Sequence, residues 1–150
     1  MIGVKFHEVM RGSWHRLDKP ADELPIEFNA NAEVSGLGNI IGGAVAKLHG
    51  TVTATGLTDS ASFDGTLGLG ALVRERRLPY AFSFRADDGR MYRFDGAKEV
   101  SVFDLARTMT TLPAYLFDDA GTEVGRAVLH FDLRGDLIKF LRSWRPFRVR

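Results

Sequence analysis

Apolar and polar residues alternate with a period of two along nearly the whole chain, and nothing else in the sequence constrains the fold as much. A β-strand sends successive side chains to opposite faces, so this alternation marks strands with one buried face; a helix would repeat its apolar stripe every three to four residues. Between Lys5 and Arg11, Phe6, Glu8 and Met10 share a face. From Ile26 to Val34, Ile26, Phe28, Ala30, Ala32 and Val34 oppose Glu27, Asn29, Asn31 and Glu33. From Ala44 to Gly56, Ala46, Leu48, Gly50, Val52 and Ala54 oppose Lys47, His49, Thr51 and Thr53. A fourth run carries Phe63, Gly65, Leu67 and Leu69.

Two hairpins follow. Tyr80, Phe82 and Phe84 lead into Asp87-Asp88-Gly89-Arg90, and Tyr92 and Phe94 alternate on the return. Asp-Gly between alternating runs signals a tight turn, because the turn needs positive φ that Gly and Asp tolerate. The second hairpin runs Tyr115–Phe117, turns at Asp118-Asp119-Ala120-Gly121, and returns from Val124 to Leu133. Helix signals are scarce: Asp104–Thr108 reads as one short turn. Asp136–Trp144 reads as a helix, with Leu137, Leu141 and Trp144 on one side, Asp136 as cap and Pro146 as stop. About eight strands joined mostly by short turns, then a C-terminal helix, predict an all-β, mainly antiparallel, lipocalin/calycin-like barrel. With no linker, low-complexity tract or repeat, residues 1–150 are expected to form a single domain.

Composition removes several chemistries. The 150 residues include no Cys, which excludes disulfides, thiolate metal sites and a cysteine nucleophile. The net charge of +1 gives no global case for nucleic acid. The first ten residues are interrupted by Lys5, His7 and Glu8, and no run approaches the ~20 apolar residues that span a bilayer, so a soluble cytoplasmic protein is expected. The charge is uneven, however. From Arg134 to Arg150 six basic residues face Asp136 alone, a net +5 that leaves −4 on the rest. Trp144 and Phe147 interleave with these arginines; a solvated tail on a packed helix is the reading adopted over a nucleic-acid or membrane patch.

Chemical motifs are absent where they would be diagnostic. In Gly36-Leu37-Gly38-Asn39-Ile40-Ile41-Gly42-Gly43 the third Gly of G-x-G-x-x-G would fall on Ile41, so these glycines read as a strand connection. No serine sits in G-x-S-x-G. His7, His49 and His130 all fall opposite the apolar face, and no His pair has metal-ligand spacing, so neither metal nor cofactor is expected. Glu8 is different, because it shares its face with Phe6 and Met10. Lys98 shares parity with Tyr92 and Phe94 unless a bulge at Gly96 turns it outward. An inward acid and an inward base must pair or meet a polar ligand, since an isolated buried charge is costly. Small inward residues at Ala30, Ala32, Ala46, Gly50 and Ala54, against aromatics on the hairpin, either interdigitate or leave room for an apolar guest.

A resemblance bears on this. Phe6-x-Glu8-x-Met10-x-Gly12, Leu78-Pro79-Tyr80 before Phe82-Ser83-Phe84, Asp88-Gly89, and Gly96-Ala97-Lys98-Glu99-Val100 come first in order. Asp104-Leu105, Thr110-Thr111-Leu112, Gly125 and Leu129 complete the series. Together they resemble the β-domain fused to FAD-dependent GMC-type, cholesterol-oxidase-like oxidoreductases. Thr108 stands where that pattern has an acid, and Pro113 where it has an aromatic. Separately, Gly12-Ser13-Trp14 is similar to the G-x-W signature that opens lipocalins, where the Trp packs under a C-terminal Arg. The first resemblance implies a sterol or lipid setting and transfers no catalytic residue.

The expectation is therefore a non-catalytic accessory module that binds an apolar small molecule, a sterol or fatty acyl chain, beside a separate oxidoreductase or hydrolase. The residues expected to contact it are Glu8, Met10, Phe28, Leu48, Tyr80, Phe82, Phe84, Tyr92, Phe94 and Lys98. Two alternatives stand beside it: a structural or docking domain with a filled core, and an enzyme acting directly on lipid through Glu8 and Lys98. A homodimer is left open.

Overall fold

The computed structural model describes residues 2–34, 45–101, 103–131 and 145–148. Its strands are β1 (Ile2–Arg16), β2 (Leu24–Val34), β3 (Ala46–Ala54), β4 (Thr58–Leu67), β5 (Arg77–Arg85), β6 (Met91–Glu99), β7 (Thr111–Phe117), β8 (Glu123–His130) and β9 (Arg145–Arg148). Two short helices interrupt them, α1 (Leu69–Glu75) and α2 (Leu105–Thr110). Each strand pairs antiparallel with the next from β1 to β8, and β8 returns to β1, so the eight strands close into a barrel. The long β1 spans more than one neighbour: β2 runs along one edge, while β8 takes Arg11–Arg16 and β9 takes Ile2–Lys5 on the other.

The register determines the barrel's shape. From Phe6 the paired residues are Ala32, Leu48, Gly65, Phe82, Phe94, Leu116 and Gly125, and the path re-enters β1 at Arg16, ten residues beyond its start. Eight strands with that stagger tilt about 40° and enclose a cylinder of roughly 8 Å radius, given ordinary strand spacing and rise. A cylinder of this size is either filled by side chains or holds one small ligand.

Strands coiled this steeply bring neighbouring backbones close on the inner face. A Cβ on Gly50 would lie 1.8 Å from the Asn29 carbonyl oxygen, and one on Gly12 would lie 1.9 Å from that of Val128. Gly50 therefore marks contact between strands and contributes no cavity space, so of the two readings open for the small inward residues close packing holds at this one.

The two ends differ. Tight turns at 55–57, 86–90 and 118–122 close one end, together with the 17–23 connection. The turn chemistry is local: Gly89 and Gly121 take φ of 85° and 80°. Asp88 accepts from the Arg90 amide, and Asp118 accepts from the amides of Ala120 and Thr122. At the other end the chain makes longer connections, including those that carry α1 and α2. Leu69 opens α1, so the fourth run ends as a strand at Leu67. The short turn expected over Asp104–Thr108 is α2, and Thr108 stabilises its approach, its hydroxyl accepting from the Ser101 amide and donating to the Asp104 carbonyl. The helix expected over Asp136–Trp144 lies outside the described residues, as does the glycine-rich stretch at 36–43. The sequence pattern does not anticipate β9.

The expected inward faces form the core. Phe28, Phe63, Phe82 and Phe94 fill the middle of the barrel: Phe82 stacks on Phe63 at 3.9 Å and on Phe94 at 4.6 Å, and Phe28 meets all three edge-on. Trp14, Ile26, Leu116 and Phe84 pack toward the turn end, fully buried. Among the described residues, no helix is long and apolar enough to cross a membrane.

Candidate functional site

Within this apolar interior one polar cluster stands out. Glu8 comes from the middle of β1, Tyr80 from near the middle of β5 and Lys98 from the end of β6. β5 and β6 pair in unbroken register from Arg77–Glu99 to Arg85–Met91, so Gly96 makes no bulge there and Lys98 keeps its inward parity. β1 pairs with neither strand, and the three side chains reach one another across the barrel interior. The Lys98 ammonium donates to Glu8 Oε1 at 2.7 Å, and the Tyr80 hydroxyl donates to Glu8 Oε2 at 2.7 Å. The Lys98 Nζ also lies 5.3 Å from the centre of the Tyr80 ring, a cation–π distance. Both charged side chains are only 5% exposed.

The electrostatics follow from this geometry. Burial and then the neighbouring Glu8 carboxylate push the Tyr80 phenol well above its ordinary pKa of 10.0, so it stays protonated and remains a donor. Glu8 and Lys98 neutralise one another, leaving the cluster with no net charge. Among the described residues no buried side-chain polar atom lacks a hydrogen-bond partner. Capacity nevertheless remains: an ammonium has three protons and a carboxylate about four acceptor positions, and the contacts above use one and two of them.

The residues expected to bind a guest are distributed over the whole height of the barrel. Glu8, Tyr80 and Lys98 meet directly, and Leu48 lies on β3 in the register path from Phe6. Phe28, Phe82 and Phe94 belong to the packed middle layer, with Met10 beside Phe28 in register. Phe84 and Tyr92 pair near the 86–90 turn and stack on each other at 6.1 Å. Beside the cluster β2 and β3 carry small residues among larger ones: Ala30 is the cross-strand partner of Glu8, and Ala32 and Ala46 alternate with buried Phe6, Val34 and Leu48 toward the long connections.

Sequence reasoning placed Tyr80 among the aromatic contacts but missed its polar role. The signal was available, since a Tyr amid inward Phe residues must find a partner for its hydroxyl. Two open grooves of about 460 Å³ each lie elsewhere, one beside Arg93 and the 118–121 turn and one lined by Thr53, Thr58, Asp59 and Asp87; neither includes the cluster. His49 and His130 are exposed, and the described residues hold no group of three or more potential metal ligands. Trp14 is buried and its indole donates to the Thr55 carbonyl; among the described residues, the guanidinium over its ring is that of Arg16 on the same strand.

Fold and site together define a closed eight-stranded antiparallel barrel, lipocalin-like in architecture, with a charge-neutral polar cluster inside. No family model, no curated protein and no solved structure matches the chain.

Proposed function

We propose that this chain is a non-catalytic binding module for an apolar small molecule, held by its polar group at Glu8, Tyr80 and Lys98. The guest's body occupies the half of the barrel between the cluster and the long connections. The observation that carries this reading is the convergence of three polar side chains, from three strands, inside an otherwise apolar barrel. Binding sites of this kind pair an apolar lining with a few placed polar groups. A buried ion pair is also a weak stabiliser, because apolar residues of similar volume generally do as well or better. Since the side chains beside the cluster are buried, binding requires those at the long-connection end to part. The sterol or lipid setting implied by the sequence resemblance makes sterols and acyl compounds the first to try.

The stacked Phe63, Phe82 and Phe94 favour a second reading, a structural or docking domain with a filled core. Solvent extraction and mass spectrometry of the purified protein, with a fluorescent-sterol titration, separate the two. A co-purifying apolar compound or a saturable signal is expected. If nothing is carried and nothing saturates, the binding reading fails and the filled-core reading replaces it.

A further inference from the structure

Resting on that reading, we infer that the anchor selects a neutral hydroxyl headgroup, and so a long-chain or polycyclic alcohol in preference to the corresponding acid or amine. The charges decide this. Glu8 and Lys98 form a 1:1 pair at 2.7 Å, and Tyr80 adds a neutral donor. The other buried polar residues among those described, Thr58 and Thr108, are engaged elsewhere, with Asp87 and within the α2 connection. Among the described residues the only buried cation is Lys98, already paired with Glu8, so an entering carboxylate adds an unbalanced negative charge and an ammonium an unbalanced positive one. Either must leave water for a low-dielectric site whose charges are already balanced. A hydroxyl brings no charge. It accepts from one of the Lys98 N–H groups that Glu8 does not use, and donates to one of the remaining Glu8 lone pairs, so both partners gain a bond without losing the existing one.

A panel of dodecan-1-ol, dodecanoate, dodecylammonium and dodecane tests the inference by displacement of Nile red, a neutral probe, from the full chain at pH 7. The four compounds share one apolar body and differ only at the head. The alcohol is expected to bind tightest, with the acid and the amine each at least about tenfold weaker, a difference of about 1.4 kcal/mol. In Glu8→Gln the Lys98 charge is no longer neutralised, so dodecanoate gains on dodecan-1-ol by at least about tenfold. Dodecanoate binding as tightly as the alcohol to the wild-type chain overturns the inference, as does dodecane matching the alcohol. An unchanged preference in folded Glu8→Gln overturns it too. If Nile red and all four compounds fail to saturate, the binding reading itself falls. The wild-type panel stands without the variant, so misfolding of Glu8→Gln does not rescue the inference.

Discussion

Removing Lys98 alone and removing the whole polar cluster should have very different consequences. At 2.7 Å the Lys98–Glu8 attraction amounts to about 6 kcal/mol at an effective dielectric of 20. Burying each ion costs several kcal/mol, so the pair is worth little net against an apolar substitute. Lys98→Met keeps the volume and strands a buried carboxylate, which predicts a loss of about 3–5 kcal/mol. The triple variant Glu8→Leu, Lys98→Met, Tyr80→Phe strands nothing, since the phenyl ring that replaces the phenol has no hydroxyl to satisfy. It should fall within about 2 kcal/mol of wild type, on either side. Urea denaturation at pH 7, followed by tryptophan fluorescence, gives both numbers, with equal m-values as the check that the unfolding reaction is unchanged. A triple variant as unstable as Lys98→Met would refute the reasoning. The cluster would then be a net stabiliser, and its presence would no longer point to a ligand.

Three other outcomes are expected. Gly50→Ala puts a methyl 1.8 Å from the Asn29 carbonyl oxygen and should cost about 1–3 kcal/mol or more, read as a fall in melting temperature of several degrees. Gly89→Ala meets no atom within 4 Å and is strained only by its φ of 85°, so it should cost about 1 kcal/mol by the same assay. Tyr80→Phe should lose about 1–3 kcal/mol at pH 7 through the hydrogen bond to Glu8. Because the folded-state pKa of Tyr80 is raised, its contribution is complete below the unfolded value of 10.0 and is lost as pH rises beyond it. Measured by urea denaturation, the deficit of Tyr80→Phe should therefore narrow by about 1.4 kcal/mol per pH unit above 10.

Much of the candidate site was legible because strand parity is a local property. The alternation put Glu8 with Phe6 and Met10, and Lys98 with Tyr92 and Phe94, and both assignments require only that the strand be regular. The Asp-Gly turn at 88–89 was equally local, since its geometry depends on one positive φ and one side-chain bond. The role of Tyr80 was less visible. Its hydroxyl finds Glu8 across 72 positions of sequence, and parity states which face a residue occupies without stating which distant residue shares that space. Leu69 shows the limit of periodicity at an element's end: its spacing continued the strand pattern, yet the backbone turns into α1 there.

By itself the sequence determined the eight barrel strands to within their ends, their inner faces and the tight turns, together with an acid and a base that could not remain unpaired inside. These follow from the two-residue repeat and from the cost of burying a lone charge. Only the tertiary structure decided the ten-residue stagger, because it is a property of the closed ring that no single pairing contains. That stagger tilts the strands and presses the Gly50 backbone against β2. Closure of the ring also lets Glu8 meet Lys98 and Tyr80 across the interior, and the cluster they form is where the function is proposed to reside.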